Sequence, residues 1–417
     1  MQLKSLFTVL AAGAVAHAAT STSKDPCSLS TTITAVGELE TLNACSTLDG
    51  SITITGQEII NADLSGVREI KGDLKFFNST SIVSLNLNQL QNITEGGSLS
   101  VVSLTTLASI DFTSLTNVDQ VLLTSLPSLG NLVMGFGVVH AGHIEISDTA
   151  INSLSRFVSF LNTVRHLELN SNKNITSIDL TNLNTVTENL ILRFNGDDCD
   201  VKLDTLAWAS NITIQDVGDI EISNITAING SLVLAYNTFD SFNLDSLKTI
   251  GGSIEIFAND ELTEFSFHDL ETIGGELSLS NNTNLENVTD SFPNLNRIKG
   301  AVNIDGGFAN FSTPKLARVN GDFSFNSTNE DFSCDFFNKL RDNKDIEGHN
   351  YECTAPKKSS SSTAKSKSTS TSESSSDSTS DDSGSSSTTS KKSDGYILVP
   401  ASMALTTIIG SFLAFIL

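Results

Sequence analysis

The feature that most restricts the fold is a phrase written twice: TIGGSIEIF at residues 249–257 returns one lap later as TIGGELSLS at residues 272–280. Aligning the chain on Gly252 gives equivalent positions at 50, 72, 97, 119, 142, 165, 188, 210, 230, 252, 275, 300 and 321, in steps of 20 to 25 residues. Two and four residues beyond these positions stand two columns, running from Ile52 and Ile54 to Phe323 and Phe325, in which every member is apolar. The residue just before the first column is polar in every lap except at Ala301. Alternation of period two marks a strand with one buried face. Further round the lap, Ile82, Leu85, Leu87, Leu90 and Ile93 are matched by Leu107, Ile110, Phe112, Leu115 and Val118, which predicts a second short strand and a corner.

A single lap carries too few apolar side chains to offset the ordering of its own backbone. Stacked laps share one interior and pair strand to strand in parallel, so each copy of the phrase is a rung. The expected fold is all-β, a parallel β-helix or leucine-rich-repeat-like solenoid of about thirteen laps over residues 50–333. At about 4.8 Å per rung it is a rod roughly 60 Å long. The open ends need covers, for which residues 19–49 and 334–356 are the candidates, the second with a short helix. Glycines suit the tight corners. Asn172, Asn195, Asn237, Asn259 and Asn282 all lie seven residues past the alignment position and are expected to hydrogen-bond backbone groups at the next bend.

Five cysteines are too few for a disulfide-framed scaffold. Cys27 is expected to pair with Cys45, and Cys334 with Cys353, because each pair brackets one end of the repeats. Loops of this size stabilise each end by about 3 kcal/mol. Cys199 is left over, as a buried inert group or a free thiol.

The ends of the chain indicate where it resides. Residues 1–18 combine an early Lys4, an apolar run over residues 6–15 and the small-x-small triplet Ala16, His17 and Ala18, the form of a cleaved signal peptide. Residues 357–393 are dominated by Ser and Thr and form a stalk that has nothing to bury. The tail, residues 394–417, ends in an apolar stretch from 404 to 417 with no basic residue after it. A membrane-spanning helix wants about 20 apolar residues and a positive flank. Small residues followed by a spacer and an apolar tail are instead the signal for a glycolipid (GPI) anchor, attached at Ser393, with Gly395 or Asp394 as the next choices. Ten N-glycosylation sequons, at Asn78, Asn92, Asn174, Asn211, Asn224, Asn229, Asn281, Asn287, Asn310 and Asn326, lie in the body and agree with secretion. A net charge of −24 argues against nucleic acid or an anionic membrane surface as partner.

Laps of the form I-x-G-x-L-x-I followed by L-x-x-F-x-F-x-x-L resemble the receptor L-domain solenoid. With the signal peptide, sequons, stalk and glycolipid tail, the whole chain resembles the fungal GPI-anchored cell-wall organisation proteins related to sporulation-specific wall proteins. That resemblance implies a surface glycoprotein, at the plasma membrane or in the wall, needed for wall assembly and integrity. It implies no catalytic activity and no cofactor, and it implies wall polysaccharide or other wall proteins as partners. It also makes Lys391 and Lys392, just before the anchor site, resemble a signal for residence at the plasma membrane.

Three other readings bear on function. Asp197 and Asp198, His143 after Gly142, and Arg297 to Lys299 superficially match pectin-cleaving β-helix hydrolases, but their order is wrong and the first acidic element of that signature is missing. Nothing selects a pair of carboxyls across a cleft, as glycoside hydrolysis requires. His143 and His166 fall in one outward column of consecutive laps, with Glu145 and Glu168 two residues on, so four side chains project from one patch. Such a set is a candidate for zinc, against the ordinary reading of a wet polar face. An adhesive, receptor-like or glycan-binding module is the alternative to a wall organiser. Sugar-binding faces present aromatic platforms, for which Trp208 and Tyr236 are the few candidates, while the many phenylalanines fit the interior columns.

Overall fold

The computed structural model describes residues 25–356 apart from 26 and 29. The expected signal peptide, the stalk, Lys391, Lys392, Ser393 and the apolar tail lie outside the described residues. The described chain is a right-through parallel solenoid whose rungs pair in the register read from the sequence. Ile52 opposes Leu74, which opposes Leu99, and the column continues through Ile144, Leu190 and Ile254 to Phe323. No member of the two inward columns is more than 3% exposed. The buried residues form one cluster from Ile33 to Ile346, so the laps share a single interior.

The covers do more than shield the ends. At the N-terminal end the strand Thr31–Ile33 pairs in parallel with Ser51–Ile54, and helix α1 (Val36–Asn43) lays Leu39 and Leu42 over the first lap. At the other end Tyr351–Thr354 pairs with Phe323–Ser327, and helix α3 (Asp335–Asp342) buries Phe337 and Leu340. Each cover therefore adds a rung to the ladder, and each is closed by a disulfide, Cys27–Cys45 and Cys334–Cys353.

At the end of ten of the main strands the chain turns through a left-handed non-glycine residue. Asn78, Ser103, Ser125, Asp148, Ser171, Phe194, Asp216, Tyr236, Ala258 and Asn281 all have φ between 51° and 60°, and each lies six residues past its alignment position. Such a conformation costs a non-glycine residue about 1–2 kcal/mol. The buried asparagines that follow offset it by satisfying the turn. Asn259 donates from Nδ2 to Leu234 O and to Asn282 Oδ1, both at 3.0 Å, while its Oδ1 accepts from the backbone N–H of Asn237. Asn172 and Asn195 repeat the pattern, Asn172 bonding Ile146 O at 2.9 Å and Asn195 Leu169 O at 3.1 Å.

The second strand of the lap is present on most rungs but is not one continuous ladder. Asn61–Asp63, Ser84–Asn86, Ser109–Phe112 and Asn131–Met134 pair in turn, and a separate set begins at Ser177–Asp179. Between them the lap carries helix α2 (Ser155–Val158), which buries the neighbours Phe157 and Val158. Adjacent apolar residues suit one turn of helix, whereas a strand would send one of the two outward.

The main sheet also changes width along the ladder. Between residues 92 and 215 each lap runs as one strand of 8 to 11 residues, such as Asn92–Val102, His140–Thr149 and Trp208–Gln215. Elsewhere the same stretch is two short strands joined at a glycine corner, as in Thr249–Ile250 and Ile254–Phe257.

Candidate functional site

The wide part of the sheet presents the His and Glu residues that alternation predicts on its outer face. His143 opposes His166 and Glu145 opposes Glu168 on adjacent rungs. The two imidazoles stack with centroids 4.3 Å apart and planes 6° from parallel. His143 Nε2 lies 3.8 Å from Glu145 Oε2, and His166 Nε2 lies 3.7 Å from Glu168 Oε2. The Arg193 guanidinium reaches Glu168 Oε1 at 2.7 Å. The His166 imidazole, and then Arg193, hold the Glu168 carboxyl below the usual range for glutamate, against the opposing effect of burial.

This quartet stands as a stacked polar ladder. Parallel rings keep their nitrogens in separate planes, so the two imidazoles do not converge on one point. Among the described residues no group of three or more His, Cys, Asp or Glu is placed to hold a metal ion. The column positions were legible in the sequence; the ring orientation was not, and Asn189 on the next rung lies 3.2 Å from His166 Nδ1.

Trp208 and Tyr236 do not form a shared platform. Trp208 opens the strand Trp208–Gln215 at one edge of the main sheet, half-buried. Tyr236 stands 51% exposed at the left-handed bend on the opposite edge, edge-on to Phe257 at 5.4 Å. Phenylalanines fill the interior as expected, with Phe267 and Phe292 stacked 5.4 Å apart. Cys199 is a buried free thiol whose pKa is pushed up to about 11 by burial first, then by Asp200 and Asp216.

The sequons lie on the described solenoid and differ in what their amides already do. Asn211 sits in the outward column between Asn189 and Ser231, where its Nδ2 donates to Glu188 O and Asn189 Oδ1, both at 3.2 Å, and its Oδ1 accepts from Ser231 N–H at 3.0 Å. Asn174, Asn224 and Asn326 each donate once, to Ala150 O, Asp204 O and Asp305 Oδ1. Asn78, Asn229 and Asn281 are exposed.

Comparison with known proteins gives a consistent set of relatives. The chain is 49% identical over 418 residues, all of both chains, to the cell surface GPI-anchored protein ECM33 of Candida albicans. It is 35% identical over 330 residues to the cell wall mannoprotein PST1 of Saccharomyces cerevisiae, covering 79% of this chain and 72% of that one. It is 29% identical over 301 residues to sporulation-specific protein 2 of the same yeast, covering 71% of this chain and 58% of that one. No family model matches the chain, and no solved structure matches it.

Proposed function

We propose a function from one premise: the chain belongs to the fungal family of GPI-anchored cell-wall proteins that includes these relatives. It is a surface glycoprotein that serves the organisation and integrity of the wall without catalysing a reaction. A GPI anchor at Ser393 holds it at the outer face of the plasma membrane, and the Ser- and Thr-rich residues 357–393 lie in the sequence between the repeats and the anchor site. The observation that supports this reading most is the full-length likeness to a relative named as GPI-anchored at the cell surface. The fold agrees with it, since a ladder covered and disulfide-closed at both ends is suited to an oxidising exterior.

Deleting the gene should sensitise cells to wall-perturbing dyes, and the intact chain should restore resistance; normal resistance in the deletion strain would overturn the reading. Lys391 and Lys392 favour the membrane over covalent transfer to the wall, so phospholipase should release more of the protein than wall-digesting glucanase does. Nine of the sequons are proposed as glycan carriers. Asn211 is proposed as a ladder residue that stays unmodified, since both hydrogens of its amide are already used. Enzymatic deglycosylation in heavy-oxygen water should leave the Asn211 peptide unlabelled.

A further inference from the structure

A straight row of side chains runs across the edge of the wide sheet. Asn92, Asn117, His140, Thr163, Thr185 and Trp208 oppose one another in register on six consecutive rungs. Five spacings of about 4.8 Å make the row roughly 24 Å long. Asn117 and His140 are exposed, and the other four are half-buried. Neighbours in the row are linked pairwise: Asn117 Nδ2 donates to Asn92 Oδ1 at 2.9 Å, and His140 Nδ1 lies 3.3 Å from Thr163 Oγ1.

The first three members of this row, Asn92, Asn117 and His140, line an open groove. Its floor is the next column, Asp119, Gly142 and Arg165, and the bulge at residues 94–97 walls one end. Arg165 reaches over Gly142 to bond Asp119 Oδ1 at 2.8 Å, and Asp119 Oδ2 accepts from Gly96 N–H at 2.8 Å. A Cβ on Gly142 would come within 2.4 Å of the Arg165 guanidinium, so the glycine keeps the floor open for that bridge. The two floor charges neutralise each other, leaving Glu95 on the wall as the uncompensated one.

We propose that this row and groove bind an uncharged linear saccharide, laid across the strands with its far end on Trp208. The juxtaposition that carries this is a line of amide, imidazole and hydroxyl groups, which both donate and accept, ending on an indole. Sugar hydroxyls need partners of that kind, and the apolar face of a sugar ring packs on an aromatic one. The rung spacing is close to the advance per residue in an extended saccharide, so successive sugars meet successive side chains. A charged polymer gains little from a floor whose charges cancel. The proposal rests on the surface placement proposed above, since it needs a saccharide-rich setting. The saccharide has two sources: a wall polymer, or the chain's own glycan on Asn92, whose Oδ1 accepts from Asn117 and whose Nδ2 donates no hydrogen bond among the described residues.

The sole tryptophan of the chain supplies the readout. The full chain and Asn92→Gln are titrated with linear hexasaccharides of glucose, of mannose and of N-acetylglucosamine, following indole emission and, in parallel, the heat of binding. At least one sugar should give saturable binding with a shift in emission. In the double variant Asn117→Ala/His140→Ala, affinity should fall ten-fold or more with the melting temperature unchanged, because both side chains are exposed. If the Asn92 glycan fills the groove, only Asn92→Gln binds free sugar, and endoglycosidase releases that glycan more slowly from the native full chain than from the double variant. Absence of binding by both proteins together with equal release rates overturns the proposal, as does binding that the double variant leaves intact. Either failure leaves the dye-sensitivity result standing, because that result is read in cells lacking the chain.

Discussion

The laps around residues 230–321 and those around residues 117–170 are built from the same inward columns and differ by one residue at the corner. In the first group three residues separate the last inward side chain of one strand from the first of the next, as between Ile250 and Ile254. In the second group two do, as between Val164 and Leu167, and the strand runs straight through. The extra residue forces a sharp step that brings the corner against the lap beneath. A Cβ on Gly274 would lie 2.0 Å from Gly251 O, and one on Gly275 within 2.7 Å of Gly252 C. Without that step the aligned position accepts Asp119 or Arg165. Glycine here reports corner length rather than repeat identity. In laps 119, 142 and 165 the shorter corner leaves Asp119, Gly142 and Arg165 facing outward as the floor of the groove, while Val186 to Leu190 carries three residues within one continuous strand and without a glycine.

The sharpest way to break this comparison is to place alanine at the same aligned position in both regions. Gly275→Ala should cost about 3 kcal/mol or more, as overpacking against immobile backbone does, measured by denaturant unfolding. Arg165→Ala loses an exposed ion pair and should cost under about 1 kcal/mol. Equal losses would show that the corner distinction is empty. Asn259→Ala should come next in size, at roughly 2–3 kcal/mol, because it strands Leu234 O and the N–H of Asn237 in the interior. Lap 210 has Val217 at the same offset, whose own N–H is served by Asn237, so Val217→Ala should lose only packing.

A smaller effect distinguishes the wide region by pH. Glu168 has its folded pKa held below the unfolded value, so its stabilisation is present above the unfolded pKa and is lost as pH falls through the folded one. Glu168→Gln should therefore flatten the acid limb of stability against pH while leaving its basic side alone; an unchanged acid limb would remove this contribution. The least perturbing probe is Cys199, which should resist a disulfide reagent at pH 8 in the native protein and react fully once unfolded. Rapid native labelling would mean that its part of the lap opens readily.

The register was legible because period-two alternation, repeated in step, admits one way of stacking thirteen strands with a common inside. The asparagine column was legible for a related reason, since a buried amide recurring beside a bend has backbone groups to satisfy. The left-handed turns were not. Phe194, Tyr236 and Ala258 are poor residues for φ > 0 by any local rule, and only the stacked lap and the amide ladder beside them hold that conformation. Nor was helix α2 separable from a strand, because Phe157 and Val158 are apolar in a segment too short to show a period. For the outward face, the sequence disclosed that His143 and His166 share a column, but ring stacking and the row from Asn92 to Trp208 depend on corner lengths that an alignment on glycine hides.

Because Gly252 and Gly275 stand at the same point of successive laps, residues 252–274 form a unit that begins and ends on equivalent atoms. Cutting it out would set Leu277 against Leu232 and reclose the interior. The molecule's reach is then a countable quantity, adjustable by whole units without altering the chemistry at either extremity, and a gene encoding it can lengthen or shorten a spacer at the cell's exterior by simple duplication or loss.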